Sequence, residues 1–265
     1  MNPPTATPGA PAGWLRRTVR ARRVLAGAVV IGAGAWLWTA LPHDELPAFG
    51  DYKDTSEKKT AFFDFLLPQI RAANEAILRD RHRLLGVRAE LADDGNAGFF
   101  DEHWTRELAE NYGLEPPGTL NAAFADRLLL RVDAIAPSLV LAQAANESAW
   151  GTSRFARHGN NLFGLRTYDG EGLVPHHRAE GKTFKVAAYP SVRASIKAYM
   201  ANLNMDFRYR HLRQIRAEQR RQQRVVSGLA LANGLLVYSS RGPDYVAEIQ
   251  SIIRTNKLSQ YDELE

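Results

Sequence analysis

The sequence predicts a mainly α fold with a small β-hairpin lobe, preceded by one N-terminal transmembrane helix. Apolar residues recur at helical spacing through most of residues 60–258. One segment, residues 172–189, is instead rich in strand formers on either side of a short glycine-containing turn. An uncharged run of eighteen residues, VLAGAVVIGAGAWLWTAL at 24–41, approaches the roughly 20 residues needed to cross a bilayer.

Charge and composition narrow the function classes. The chain has 265 residues and a net charge of +5. Arg16, Arg17, Arg20, Arg22 and Arg23 all precede the first acid, Asp44. Setting those five aside leaves residues 44–265 with equal numbers of basic and acidic side chains, so nucleic acid is not an expected partner. With no cysteine there is no disulfide framework, thiolate metal site or cysteine nucleophile, and the histidines form no HExxH pair. No metal or organic cofactor is expected.

Residues 1–23 read as a tail, Pro- and Ala-rich and then basic, and 24–41 as a signal anchor. The arginines place the N-terminus in the cytoplasm, and Trp36 and Trp38 suit the opposite membrane interface. A cleaved signal peptide, with Ala33-Gly34-Ala35 as its site, and a buried core helix are the alternatives. The anchor reading gives a single-pass protein of a bacterial inner membrane with its remaining residues in the periplasm. Residues 42–59, with prolines and alternating charges, read as a linker.

Residues 60–134 read as a supporting helical half. Phe62, Phe63, Leu66, Leu67, Ile70, Ile77 and Leu78 fall at helical offsets, with Pro68 expected to kink or divide the helix. A polar break at 92–98 separates this segment from a helix over 99–112, and residues 120–135 resume the pattern. Ala136-Pro137-Ser138 opens a central helix, proline being suited to a first turn. Gly151 can take the left-handed conformation that ends it. After the hairpin, helix resumes from Ser191 to about Leu258, interrupted at 238–245. The basic run Arg208, Arg210, Arg213, Arg216, Arg220, Arg221 and Arg224 reads as a solvated helix face.

Glu147 is the residue that points to chemistry. Val140, Gln143, Ala144 and Glu147 share one side of the central helix, so a carboxylate extends an apolar stripe. Burial and the negative end of the helix both raise a carboxyl pKa, as a general acid working near neutral pH requires. A helix-terminal salt bridge is the alternative reading. Trp150 and Phe163 are candidate sugar-stacking walls, and Asn160 and Asn161 offer amides for N-acetyl and hydroxyl groups, although core packing and turn chemistry compete for the same residues.

The stretch AQAANESAWGTSRFARHGNNLFGL at 142–165, with GLVPHHRAEG, FKVAAYPSVRASIKAYMANLN, YRHLRQIRAE and YSSRGPDYVAEIQSIIRTNKL downstream, resembles the glucosaminidase domain family, in its Bax-like bacterial branch. The resemblance covers about 130–258. It implies a lysozyme-like helical domain over 135–260 acting on the glycan strands of peptidoglycan, with Glu147 as catalytic acid and the hairpin as a small lobe across the cleft. It also implies a second acidic group on that lobe, for which Glu180 is preferred to Glu171. If neither serves, the role falls to a tyrosine or to the substrate's acetamide. Tyr245 is the matching functional tyrosine, and Tyr238 is expected to line the cleft. Ser240 stands where related chains often carry Glu, so any role of that acid does not transfer. The implied activity is cleavage of the N-acetylglucosaminyl-β-1,4-N-acetylmuramyl bond, with muramidase or lytic transglycosylase chemistry, or a non-catalytic glycan-binding module, as alternatives.

Overall fold

A computed structural model describes residues 45–175, 181 and 183–263 of the chain. The basic tail, the apolar run 24–41 and Glu180 lie outside the described residues. Among the described residues no helix is long and apolar enough to cross a membrane.

The described chain is mainly helical, with one three-stranded antiparallel sheet. Helix α1 (Thr55–Asp93) begins at Asp54, whose side chain accepts the N–H groups of Ser56 and Glu57 at 2.8 Å each. Its 39 residues reach roughly 58 Å at 1.5 Å per residue. Of the two outcomes expected at Pro68, a kink or a division, division does not occur. Pro68 sits on the exposed face, where water can serve carbonyls that lose their backbone donor, and Gln69 Nε2 donates to Phe65 O at 3.1 Å. The linker expected over 42–59 is also partly structured. Phe49, in a 3-10 turn (Phe49–Asp51), is 1% exposed and meets Phe62 edge-on.

α1 joins two apolar cores. Leu84, Val87 and Leu91 near its C-terminal end pack with Leu108 of α2 (Phe99–Asn111) and with Phe124 and Leu128 of α3 (Ala122–Leu129). The predicted helix over 120–135 thus stops at Leu129. Beyond it the backbone turns inward to be held by side chains: Asn74 Nδ2 donates to Ile135 O at 2.8 Å, and Asn74 Oδ1 accepts from Ile135 N at 2.9 Å. Phe62, Phe63, Leu66 and Ile70, nearer its start, pack on the central helix α4 (Pro137–Ser148). All of α4 from Pro137 to Ala145 is buried. Its first turn has no local cap, and Asp262 from the C-terminus supplies one. Asp262 Oδ1 accepts from Ser138 N at 2.9 Å, and Oδ2 accepts from Ser138 Oγ at 2.8 Å and Gly228 N at 3.0 Å. Gly228 must lack a side chain there, since a Cβ would stand 2.1 Å from Ser138 Oγ.

Short helix α5 (Arg154–Gly159) follows α4, then the sheet, in the order β1 (Arg166–Thr167), β3 (Lys185–Ala187), β2 (Gly172–Leu173). The expected hairpin is present as the β2–β3 pair, with Gly172 opposite Ala187 and Leu173 opposite Val186. Its strands are shorter than predicted, and β1 adds a third on the other edge, Arg166 opposite Val186. Helices α6 (Val192–Met205), α7 (Arg210–Arg221), α8 (Gly228–Leu231) and α9 (Pro243–Thr255) complete the main core.

Arg208, Arg210, Arg221 and Arg224 are exposed, as the solvated-face reading expects, but Arg213 and Arg216 on α7 are buried. Arg216 is 1% exposed and donates to the carbonyls of Leu130, Asp133 and Ala134 and to Asn204 Oδ1, at 2.7–3.0 Å. Buried Asp133 also faces Arg220 at 2.8 Å and Arg81 at 3.5 Å. Burial would raise the Asp133 pKa, but Arg216, Arg220 and Arg81 together hold it below its ordinary value of 3.8. Its folded pKa being depressed, Asp133 adds stability above pH 3.8 that is lost as pH falls through the lower folded value. Arg216→Ala removes one of three cationic partners of buried Asp133 and the donor to several buried carbonyls, and equilibrium urea unfolding should show a loss of about 3–5 kcal/mol.

Candidate active site

The C-terminal end of α4 is built to turn sharply. Ser148 Oγ donates to Ala144 O at 2.6 Å and accepts from Gly151 N at 2.7 Å. The left-handed turn starts at Ala149, with φ of 50°, and runs through Trp150 and Gly151, two residues ahead of the glycine expected to end the helix. Gly151 is required as well, because at φ of 77° a Cβ would also come within 2.5 Å of the Phe49 ring. Glu147 therefore occupies the last turn of a buried helix.

Tyr245 on α9 donates its hydroxyl to Glu147 Oε1 at 2.7 Å. The phenol is 1% exposed, and its ring stacks on Tyr238 at 5.5 Å and 7°. Burial raises the Glu147 pKa, more than the hydrogen bonds from Tyr245 and Asn146 and the positive charge of Arg241 lower it, while Glu248 adds to the rise. Arg241 pairs with Glu248 and stands 5.5 Å from the centre of the Tyr245 ring. Burial likewise pushes the Tyr245 hydroxyl far above its usual pKa, so it serves as a neutral donor.

The loop after α5 reaches the same carboxylate from another side. Tyr238 Oη donates to Phe163 O at 2.7 Å, and the next residue, Gly164, has φ of 66°. A Cβ at Gly164 would lie 3.6 Å from Glu147 Oε2. The carboxylate thus meets a phenol at Oε1 and a side-chain-free stretch of backbone at Oε2.

Of the residues read from the sequence, Glu147, Tyr245 and Tyr238 come together. Five others take different places. Asn161 is buried, with Nδ2 donating to Leu165 O and Ala187 O at 2.9 and 2.8 Å and Oδ1 accepting from Phe163 N and Leu165 N, both at 3.2 Å. Its amide ties the loop to β3 and leaves nothing for a sugar. Asn160 caps α5 in the left-handed conformation and donates to Tyr189 O at 2.9 Å. Phe163 is buried, stacking on Tyr199 at 4.0 Å rather than forming a cleft wall. Half-buried Trp150 lies against Phe62 and Phe63 with Lys59 Nζ over its ring. Glu171 is an exposed loop residue whose carbonyl accepts from Ala188 N.

Sequence reading passed over Gln143, Tyr199, Arg241 and Glu248. Gln143 carried a signal: a polar residue four positions before Glu147 on an otherwise apolar stripe must find hydrogen-bond partners when buried. Among the described residues no group of three or more His, Cys, Asp or Glu is arranged to hold a metal ion.

Residues 122–258, which contain every one of these groups except Phe49, Lys59, Phe62 and Phe63, match the glucosaminidase family model, described as mannosyl-glycoprotein endo-beta-N-acetylglucosaminidase. The chain is 32% identical over 200 residues to Protein bax of Escherichia coli (strain K12), covering 76% of this chain and 70% of that protein. The crystal structure of the catalytic domain of the autolysin Auto from Listeria monocytogenes is similar with a TM-score of 0.42 and 17% identity, over 81% of this chain and 93% of that one. If Asn161 is a brace, Asn161→Ala should lower stability by about 2–4 kcal/mol, from several lost buried hydrogen bonds, in a urea titration. A sugar ligand's role would instead raise KM in a protein of unchanged stability.

Proposed function

Since the chain belongs to the glucosaminidase family, we propose that it is a glycoside hydrolase that cleaves the N-acetylglucosaminyl-β-1,4-N-acetylmuramyl bond of peptidoglycan. The observation that carries this reading is Glu147 itself: a carboxyl at the end of a buried helix, raised in pKa by burial and held at one oxygen by Tyr245. Such a group is protonated at pH values where an ordinary carboxyl has ionised, which is the condition for protonating a leaving oxygen.

In this reading the bond between the anomeric carbon and the glycosidic oxygen breaks as Glu147 gives its proton to that oxygen. The oxygen of a water molecule then bonds to the anomeric carbon, and the water's proton passes to a base. Glu180 is assigned that second role, from its place between β2 and β3. Tyr245 keeps Glu147 in position, and Tyr238 holds the Phe163 carbonyl, which sets Gly164 beside Oε2.

Digestion of purified peptidoglycan followed by mass spectrometry of the reduced fragments tests the bond. New reducing-end N-acetylglucosamine is expected, whereas reducing-end or anhydro N-acetylmuramic acid would replace this reading with muramidase or transglycosylase chemistry. The sign of the pH dependence follows from the raised Glu147 pKa: activity holds while Glu147 is protonated and declines as pH rises through that value. In the same assay Glu180→Gln should cost about 10²-fold or more in kcat. An unchanged rate would pass its role to Glu171, a tyrosine or the substrate's own acetamido group.

A further inference from the structure

Behind Glu147, four side chains form one hydrogen-bond chain that starts in the core. Tyr199 on α6 donates its hydroxyl hydrogen to Gln143 Oε1. Gln143 Nε2 donates to Tyr245 Oη at 2.8 Å, and Tyr245 donates to Glu147 Oε1 at 2.7 Å. Tyr199 and Gln143 are wholly buried, and Phe163 lies flat on the Tyr199 ring at 10°. Water does not replace a member of such a chain.

The chain has a direction, and Tyr199 sets it. An amide can be turned end over end, exchanging its donor for its acceptor. Here that turn would present NH2 to Tyr199, whose own hydrogen would then be buried without the acceptor it now has. Leaving a buried donor unpaired is unfavourable, because it gives up its hydrogen bond to water without a replacement. With Oε1 kept toward Tyr199, Nε2 must face Tyr245, and the single hydrogen of Tyr245 goes to Glu147.

We propose that Gln143 and Tyr199 are positioning residues of the acid: they hold Tyr245 as a constant donor to Glu147 Oε1, so that the transferable proton resides on Oε2, beside Gly164. This rests on the reading of Glu147 as proton donor. In the reversed chain Glu147 would donate to Tyr245 and Tyr245 to the amide oxygen, which ties the proton up on the oxygen facing the core. The reversed chain also removes a hydrogen bond from the ionised carboxylate, so it raises the Glu147 pKa further.

Two substitutions release the direction. Tyr199→Phe keeps the ring stacked on Phe163 and removes the hydroxyl, so nothing opposes turning of the amide. Gln143→Glu places a carboxylate that accepts from both tyrosines and draws the Tyr245 hydrogen away from Glu147. The other groups around Glu147 stay in place: the hydrogen-bonding side chain of Asn146 beside it, Arg241 and Glu248 at the α9 side, and Tyr209 and Tyr238 across the aromatic cluster.

The experiment follows the titration of Glu147 by carbon NMR of carboxyl-labelled full-length protein, with Glu147→Gln identifying its resonance. Tyr199→Phe should move the titration up by about half a pH unit or more, and Gln143→Glu further in the same direction. On glycan, kcat should fall several-fold while KM is held, since no sugar contact changes. Glu147 titrating at the wild-type value in Tyr199→Phe overturns the proposal, whether or not Gln143→Glu folds. The titration is readable even if no glycan is cleaved, so failure of the positioning idea is distinct from failure of the glycosidase reading.

Discussion

A helix buried on every side has room for carboxyl groups only at its ends, and α4 meets Asp262 at its start and carries Glu147 at its end. At its start, Asp262 meets the unpaired N–H of Ser138, where the helix dipole favours negative charge. At its end, Glu147 meets the negative pole, where the dipole disfavours charge. Burial pushes both carboxyls toward the neutral form, opposed at Asp262 by hydrogen bonds from Gly228 and Ser138 and at Glu147 by those from Tyr245 and Asn146. Among the described residues four elements enclose this helix: α1 on one side, α8, α9 and the C-terminal turn on others.

The aromatic groups around Glu147 extend that constraint into chemistry. Tyr245 cannot ionise at any ordinary pH, so it neutralises nothing and contributes only a directed hydrogen bond. That bond favours the carboxylate, burial favours the acid, and burial is the larger effect. The balance suits a group that must both release a proton and regain one. Placing the aromatic stack of Tyr238 on Tyr245, with Arg241 over the outer face, keeps the phenol from rotating away.

Much of this was legible in the sequence because it depends on local pattern. The apolar run before Glu147, the proline at its first turn and the change to strand formers after residue 172 each report on neighbouring residues, and the elements they imply are present. What was not legible depends on partners far along the chain. Arg216 reads as one of seven surface arginines until Asp133, 83 residues earlier, is brought against it. Asn161 reads as a sugar ligand until Ala187 of β3 supplies a carbonyl for its amide. Pro68 reads as a helix breaker because the sequence does not say that its face is exposed. Gln143 was on the right stripe, but the tyrosines that give it meaning, Tyr199 and Tyr245, lie 56 and 102 residues away.

The central claim is that Glu147 gives its proton to the leaving oxygen. The measurement that tests it most directly compares wild-type protein and Glu147→Gln on a series of aryl β-glycosides of N-acetylglucosamine oligomers whose phenols span a range of acidity. A lost proton donor should cost about 10²-fold or more for the most basic phenol, and the loss should shrink toward nothing for phenols acidic enough to depart as anions. The same fractional loss across the whole series, or none at all, would contradict the account.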